Sequence, residues 1–178
     1  MKLFILILAI VTVSFTSINA QVAKTGSIGI GIGVPYGVLG INGEIAIHKH
    51  ISLSAGLGST TFAGLGYALG ARVYLKPAEN KLRPRVSLHY GVNSILANLV
   101  SSGSSPFDGE KFSGLTLGIG TLAMFGEKRK HGFDFEVVYL ATRVGMQDEI
   151  DKMNASGNYE HIDTPGKIKI VAGYRFGF

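Results

Sequence analysis

The chain has 178 residues, of which 46% are hydrophobic and only 16% charged, with a formal net charge of +5; this composition excludes an intrinsically disordered protein. It contains no cysteine, which excludes disulfide scaffolds, thiolate zinc sites and cysteine nucleophiles. After the first 20 residues no apolar run approaches the ~20 residues that a membrane-spanning helix needs. We therefore expect a single domain that is not a helical membrane protein.

The first 20 residues predict a secretory signal peptide. Lys2 precedes an apolar stretch over 3–13, a polar stretch follows, and Ile-Asn-Ala ends at Ala20 as a small-residue cleavage site. The alternative is an uncleaved anchor helix, but 11 apolar residues are too few to cross ~30 Å of hydrocarbon. We divide the chain into a signal peptide, 1–20, and one mature domain, 21–178. Its Lys and Arg residues are not clustered, so nothing indicates nucleic-acid binding.

After the leader, eight segments alternate in polarity with the period of a β-strand. They are 26–34, 38–48, 51–59, 67–75, 82–93, 115–125, 133–140 and 167–178. The connections between them alternate between polar turns and loops. The turns are 49–50, 76–81 and 126–132, and the loops are 35–37, 60–66, 95–114 and 141–166. In an up-and-down barrel, successive connections lie at opposite ends, and outer-membrane barrels have short turns at one end and longer loops at the other.

All charged residues of these segments share one face, and the other face is apolar. The charged face carries Glu44, Arg72, Arg83, Arg85, His89, Asp134, Glu136, Lys167, Lys169 and Arg175. A soluble barrel or sandwich would point this face to water, whereas a membrane barrel encloses it. The pattern predicts an all-β fold, a closed antiparallel up-and-down eight-stranded transmembrane β-barrel.

Large aromatic residues stand at the segment ends, as the two interfacial girdles of a membrane barrel require. Those predicted at the loop end are Tyr36, Tyr67, Tyr90, Phe112 and Tyr139, and those at the turn end are Phe125, Phe133, Phe176 and Phe178. Two positions depart from the pattern. Pro84 cannot donate to a ladder, so it marks a bulge or the strand start. Leu122 falls on the charged face and suggests a bulge near Thr121.

The final segment alternates throughout and ends the chain on an aromatic residue. It resembles the C-terminal signal strand of bacterial outer-membrane barrels, which the barrel-assembly machinery recognises by a terminal aromatic and apolar residues at every second position. The matching residues are Ala172, Tyr174, Phe176 and Phe178. The chain is similar to small OmpA/OmpX-type barrels, and its Gly-rich first strand resembles the outer-membrane β-barrel family of Bacteroidetes. The resemblance implies a porin-like protein of the cell envelope, located in the bacterial outer membrane, in contact with its lipid and lipopolysaccharide.

An eight-stranded barrel has an interior only wide enough for side chains, so enclosed charges have to neutralise one another. We predict a lumen charge network of Glu44, Arg72, Arg83, Arg85, Asp134, Glu136, Lys169 and Arg175. Within it, we expect Arg72 or Arg85 to pair with Glu136 or Glu44. We interpret the network as a salt-bridged plug, and the functional alternative is an ion path.

The compact candidate for nucleophilic catalysis is Ser87 with His89, which share a face, together with Glu136 or Asp134. Families of small outer-membrane enzymes, such as lipid A deacylases, use a serine, a histidine and an acidic residue. The deacylases, however, have the order His-x-Ser and present it to lipid. Our prediction is therefore no catalytic residue, with Ser87, His89 and Glu136 as the alternative.

Metal and cofactor signals are weak. His48 and His50 supply at most two ligands, fewer than zinc prefers, and the acidic residues of 141–166 fit no EF-hand. The glycine pairs do not complete a dinucleotide-binding fingerprint. We predict no metal and no cofactor.

These observations predict a monomeric integral outer-membrane barrel with a structural or surface-interaction role and exposed extracellular loops. Three alternatives stay open: a lipid A-modifying enzyme of the deacylase type, a narrow small-solute pore, and a soluble periplasmic barrel of lipocalin type.

Overall fold

The computed structural model describes residues 26–60, 63–97, 109–156 and 164–178. The predicted signal peptide, 1–20, lies outside the described residues. The elements are β1 Gly26–Gly33, β2 Val38–His48, β3 Ile51–Ser59, β4 Leu65–Tyr74, β5 Leu82–Ala97, β6 Gly109–Phe125, β7 His131–Leu140, α1 Met146–Ser156 and β8 Ile168–Gly177. A 3-10 turn, Val34–Tyr36, follows β1; we call it the inner turn.

Each strand pairs antiparallel with its neighbours in sequence, and β1 also pairs with β8, so the sheet closes into a barrel. At the closing seam Gly29 lies opposite Arg175 and Ile30 opposite Tyr174. Closure gives both edges of the sheet a partner. The predicted closed, antiparallel, up-and-down, eight-stranded barrel is confirmed.

The predicted loop 95–114 is wrong at both of its ends, and its middle, 98–108, lies outside the described residues. β5 continues to Ala97 and β6 begins at Gly109, and the two strands stay paired up to this point. Their outer parts rise beyond the barrel wall as a two-stranded ribbon. A ribbon beyond the barrel has no lumen on one side and no lipid on the other. The alternation of polar and apolar residues that predicts a strand therefore stops before β5 and β6 end.

The predicted loop 141–166 contains the helix α1. Its residues Met146 and Ile150 pack on Leu96 and Phe112 of the ribbon, and all four side chains are buried. Phe112 is therefore covered by the helix and does not belong to an aromatic girdle. The sequence signal was weak because only one narrow stripe of this helix is apolar.

Pro84 lies within β5, opposite Thr121, and the ladder is continuous there. The Pro84 carbonyl accepts a hydrogen bond from the Leu75 backbone N–H at 2.8 Å. Although proline has no N–H to donate, its carbonyl therefore still bonds to the neighbouring chain. The predicted bulge at Pro84 or Thr121 is wrong. The β5–β6 register shifts instead between Val92 and Ser94.

The two faces of the barrel wall differ in polarity. On the inner face Arg72 and Arg175 are fully buried. On the outer face Ile119 is 72% exposed and Ile170 is 76% exposed. The outer face is apolar over the whole circumference. Its exposed residues include Ile28, Ile30, Ile32, Leu39, Ile41, Leu53, Leu57, Leu69, Val86, Leu88, Leu117, Phe135 and Val137.

The inner turn folds into the barrel instead of standing above it. Gly33 and Gly37 flank the turn with φ values of +115° and +63°, a backbone region that glycine adopts without strain. Asn42 donates its side-chain amide to the Pro35 carbonyl at 2.8 Å. Tyr36 is fully buried, so its predicted place in the outer girdle is wrong. Because its hydroxyl reaches a buried carboxylate, burial costs this side chain no hydrogen bond.

Glycines of the adjacent wall make room for the inner turn. A Cβ atom added to Gly56 would overlap the Pro35 carbonyl oxygen, whereas one added to Gly43, on the outer face, meets nothing closer than 4.0 Å. We expect Gly56→Ala to destabilise the barrel by about 1–3 kcal/mol, because the backbone of the turn has to move. Urea unfolding in detergent measures the difference.

Gly43→Ala is the matched control. It should leave stability unchanged or raise it by up to about 1 kcal/mol, because alanine restricts the unfolded chain. Equal stabilities of the two variants would contradict the inward position of the turn.

Candidate functional site

Three arginines and three carboxylates are buried together in the lumen. They are Arg72, Arg85, Arg175, Glu44, Asp134 and Glu136, and each is at most 7% exposed. They come from β2, β4, β5, β7 and β8, at positions whose side chains alternate inward. Their formal charges, three positive and three negative, sum to zero. The set is called the lumen cluster below.

Asp134 is the carboxylate that joins all three arginines. It forms an ion pair with Arg85 and lies 3.8 Å from Arg72 and 3.4 Å from Arg175. Its Oδ2 atom also accepts a hydrogen bond from the Tyr36 hydroxyl at 2.9 Å. The inner turn is thus bonded to the lumen cluster, and a carboxylate with this many donors is well stabilised as an anion.

Glu44 bridges two of the same arginines from the opposite wall. It forms an ion pair with Arg72 and lies 3.3 Å from Arg175. The Tyr74 hydroxyl donates to its Oε1 atom at 2.7 Å. Each carboxylate oxygen of Glu44 therefore has a donor, as a buried charge requires.

Glu136 completes the lumen cluster next to the candidate catalytic residues. Its Oε2 atom lies 2.7 Å from Arg85, and its Oε1 atom accepts a hydrogen bond from the Ser87 hydroxyl. His89 Nε2 lies 3.7 Å from the same Oε1 atom. The structure thus brings Ser87, His89 and Glu136 together. The Ser87 hydroxyl, however, donates its hydrogen bond to the Glu136 carboxylate, and the His89 imidazole does not lie between them. A serine activated for acyl transfer needs the imidazole as its base.

Two residues predicted in the charge network lie outside the lumen cluster. The Arg83 guanidinium stacks 3.8 Å over the Tyr74 ring, and Lys169 is exposed at the loop end. Within the described ranges neither forms an ion pair with a carboxylate. Both sit near the ends of their strands, where the lumen opens to solvent and a lone charge stays hydrated.

The lumen cluster also has uncharged partners that we did not predict from the sequence. Asn42 Oδ1 accepts a hydrogen bond from Arg175 at 2.7 Å, and Ser27 Oγ accepts one at 3.0 Å. Both residues stand on the charged face by the same alternation, so parity was an available signal. Tyr36 had no such signal, because it lies in a connection.

An apolar layer closes the lumen above the lumen cluster. It consists of Val34, Tyr36, Val138, Leu140 and Val171, all buried. On the other side, a cavity of about 100 Å³ opens between the lumen cluster and the turn end, lined in part by Arg83 and Glu44. The lumen is therefore closed between its two ends by the inner turn and the side chains around it.

Groups that could hold a metal ion and helices that could cross a membrane are both absent from the described part of the chain. There, no group of three or more His, Asp or Glu residues is placed to hold a metal ion. His48 and His50 lie with their ring centroids 6.2 Å apart. No helix in the same ranges combines the length and apolar character needed to cross a membrane.

The comparisons with known proteins show the fold. No family model and no curated protein matches the chain, so the resemblance to the Bacteroidetes family gains no support. The chain is similar to the crystal structure of the N-terminal β-barrel domain of Pseudomonas aeruginosa OprF, with a TM-score of 0.53 and 13% identity. The match covers 89% of this chain and 100% of that chain, and agrees with the predicted OmpA-type barrel.

Replacing Asp134 tests the charge balance of the lumen cluster. Asp134→Asn leaves an excess positive charge buried among three arginines, and we expect it to destabilise the barrel by about 3–5 kcal/mol. The control is Asp148→Asn on α1, where the side chain is exposed and the change should be within about 0.5 kcal/mol. Urea unfolding in detergent measures both.

The double variant Asp134→Asn/Arg85→Gln restores the balance. It should be more stable than the sum of its single changes by at least about 1 kcal/mol, as expected of residues in direct contact. Strict additivity, or a harmless Asp134→Asn, would argue against a balanced cluster.

Proposed function

We propose that this protein is an integral barrel of the bacterial outer membrane, with a non-catalytic, structural role and a loop end that serves as an interaction surface. The observation that carries the proposal is the inverted polarity of the wall. Its outer face is a continuous apolar band, while six ionised side chains are buried inside. Soluble monomers rarely expose apolar patches beyond a few hundred Å², and a lipid bilayer is the solvent that fits such a surface.

The aromatic residues support a bilayer on both sides of this band. At the turn end Phe125 lies 5.3 Å from Phe133 and 6.4 Å from Tyr174, measured between ring centroids. At the loop end Tyr67 and Tyr90 are exposed on the outer face. Membrane barrels carry aromatic girdles at both interfaces, so we place the turn end in the periplasm and the loop end outside.

The closed lumen supports a structural role. The inner turn and the apolar layer occupy the passage that a solute would need, and the lumen cluster is neutral and fully ion-paired. Ser87 and His89 are buried within it, away from the lipid that a deacylase has to reach. We therefore favour a salt-bridged plug over an ion path and over a lipid-modifying site.

The last strand supports assembly in the outer membrane. Tyr174, Phe176 and Phe178 are exposed on the outer face of the barrel, in line with Ala172. As the strand that closes the barrel on β1, β8 completes the fold. We propose that these residues form the assembly signal recognised by the barrel-assembly machinery, and that the mature barrel is a monomer surrounded by outer-membrane lipid and lipopolysaccharide.

Fractionation and gel mobility test the location. The protein should fractionate with outer membranes and, when folded in detergent, migrate differently before and after boiling, because a closed barrel resists denaturation by the detergent. Recovery in the aqueous periplasmic fraction would refute the membrane location and favour the lipocalin-type alternative.

Placing a charge on the outer face distinguishes lipid from water. Ile119 lies midway along the barrel part of β6, opposite Val86 and Val137, and is 72% exposed. In lipid vesicles, Ile119→Lys should cost about 2–4 kcal/mol, because a charge near the bilayer midplane is poorly solvated. Urea unfolding from phosphatidylcholine vesicles provides the measurement.

Val144→Lys is the control for this substitution. Val144 is also apolar and 67% exposed, but it precedes α1 at the loop end. Its replacement should change stability by less than about 0.5 kcal/mol. If both lysines were harmless, the outer face would be facing water and the proposed function would fall.

A further inference from the structure

We infer that the loop end of the barrel contains a blind pocket for a small organic acid in which an amide N–H stands next to a carboxylate, the chemistry of an N-acyl amino acid or of a peptide carboxyl terminus. This inference rests on the proposed function, because it names a class of ligand for the interaction surface proposed at the loop end. Its test does not depend on the membrane location, because binding is measured on the isolated barrel.

The pocket is a cavity of about 270 Å³ above the inner turn. Its described lining comes from the inner turn with its flanks, from the outer half of β5, and from Pro165, Lys169 and Ile170. Small-molecule pockets commonly measure about 300–1,000 Å³. This volume therefore limits the bound group to about the size of one amino acid with its acyl group.

The floor of the pocket is closed. Val34 belongs both to the pocket lining and to the apolar layer that seals the lumen. A molecule that enters from the loop end meets this layer and cannot continue toward the lumen cluster. The geometry is that of a receptor site, not of a channel mouth.

A β-bulge turns adjacent polar side chains toward the inside. The register of β5 shifts between Val92 and Ser94, and Val92, Asn93 and Ser94 are all at least nine-tenths buried. In a regular strand one of these neighbours would point outward. Bulges often re-aim side chains next to functional sites.

Two of these inward polar groups have atoms without a hydrogen-bond partner. Asn93 donates its amide to the Thr142 carbonyl at 2.8 Å and to Thr116 Oγ1 at 3.3 Å, which fixes the side chain. Its Oδ1 atom, like the Ser94 hydroxyl, has no partner within the described structure. Buried polar atoms are nearly always hydrogen-bonded, so a donor for Asn93 and a partner for Ser94 are expected from a ligand.

Lys169 determines the charge of the ligand. It is the charged residue of the cavity lining, and the described lining residues include no acidic side chain. An ammonium group here favours an anion such as a carboxylate. The remaining walls, which include Val38 and Ile95, favour an aliphatic side chain.

The donor that faces Asn93 is more readily an amide N–H than an ammonium group. A free amino group would bring a second positive charge close to Lys169, and no carboxylate among the described lining residues would offset it. An amide N–H satisfies the Asn93 oxygen without adding charge. This distinguishes acylated amino acids and chain ends from free amino acids.

The test is an NMR titration of the isotope-labelled protein refolded in detergent micelles. The probes are N-acetyl-L-valine, the tripeptide Gly-Gly-Val, and N-acetyl-L-valinamide, which lacks the carboxylate. Both acids should shift the backbone signals of Ser94 and Lys169 saturably, with dissociation constants in the range of about 0.1–10 mM. The valinamide should bind at least about tenfold more weakly.

Variants assign the binding to the pocket. Lys169→Met should weaken binding of both acids at least about tenfold, and Ser94→Ala about threefold. Lys167→Met is the matched control, because Lys167 lies on the same side of the chain, two residues away, outside the cavity lining. It should leave binding unchanged.

The outcomes separate the sources of the ligand and decide the proposal. Equal binding of the two acids indicates small free acids, and tighter binding of the tripeptide indicates a peptide chain end; both support the pocket. The proposal is overturned if neither acid gives a saturable shift up to about 50 mM, if the valinamide binds equally well, or if Lys167→Met weakens binding as much as Lys169→Met does.

Discussion

The structure depends on the mutual neutralisation of ionised side chains in a space too narrow to hydrate them. Eight strands enclose room for side chains only, and a lone charge in that space would cost several kcal/mol. Arg72, Arg85 and Arg175 are matched by an equal number of carboxylates, with Asp134 in contact with all three arginines. Because these partners come from strands around the whole barrel, the ion pairs of the lumen cluster link the strands to one another across the lumen.

The inner turn is the second element that fills the lumen. Glycines on the inner face of the wall leave the volume that the turn occupies, and the turn brings Tyr36 to Asp134. One short connection thereby contributes a hydrogen bond to the lumen cluster and two side chains, Val34 and Tyr36, to the apolar layer above it. The layer separates the ion-paired section of the interior from an open section at the loop end, where the pocket lies.

This division bears on function. Chemistry and conduction both need access, and the buried section provides none to Ser87 or His89. The loop end instead has a cavity, which is lined by Lys169 and by Asn93 and Ser94 of the β5 bulge. A barrel with a neutral, ion-paired interior and a small cavity at its loop end fits the proposed structural role and the proposed binding site.

The sequence by itself determined the strands, the closure of the barrel and the face on which each charge lies, because alternation with period two is imposed by the geometry of a single strand. The boundaries of β2 and β3 were predicted correctly for that reason. Only the tertiary structure decided which charges pair, the inward fold of the inner turn and the packing of α1 on the ribbon. These features depend on contacts between residues far apart in the chain. Arg83 and Lys169, for example, alternate onto the same face as the lumen residues, and only their position near the strand ends places them outside the lumen cluster.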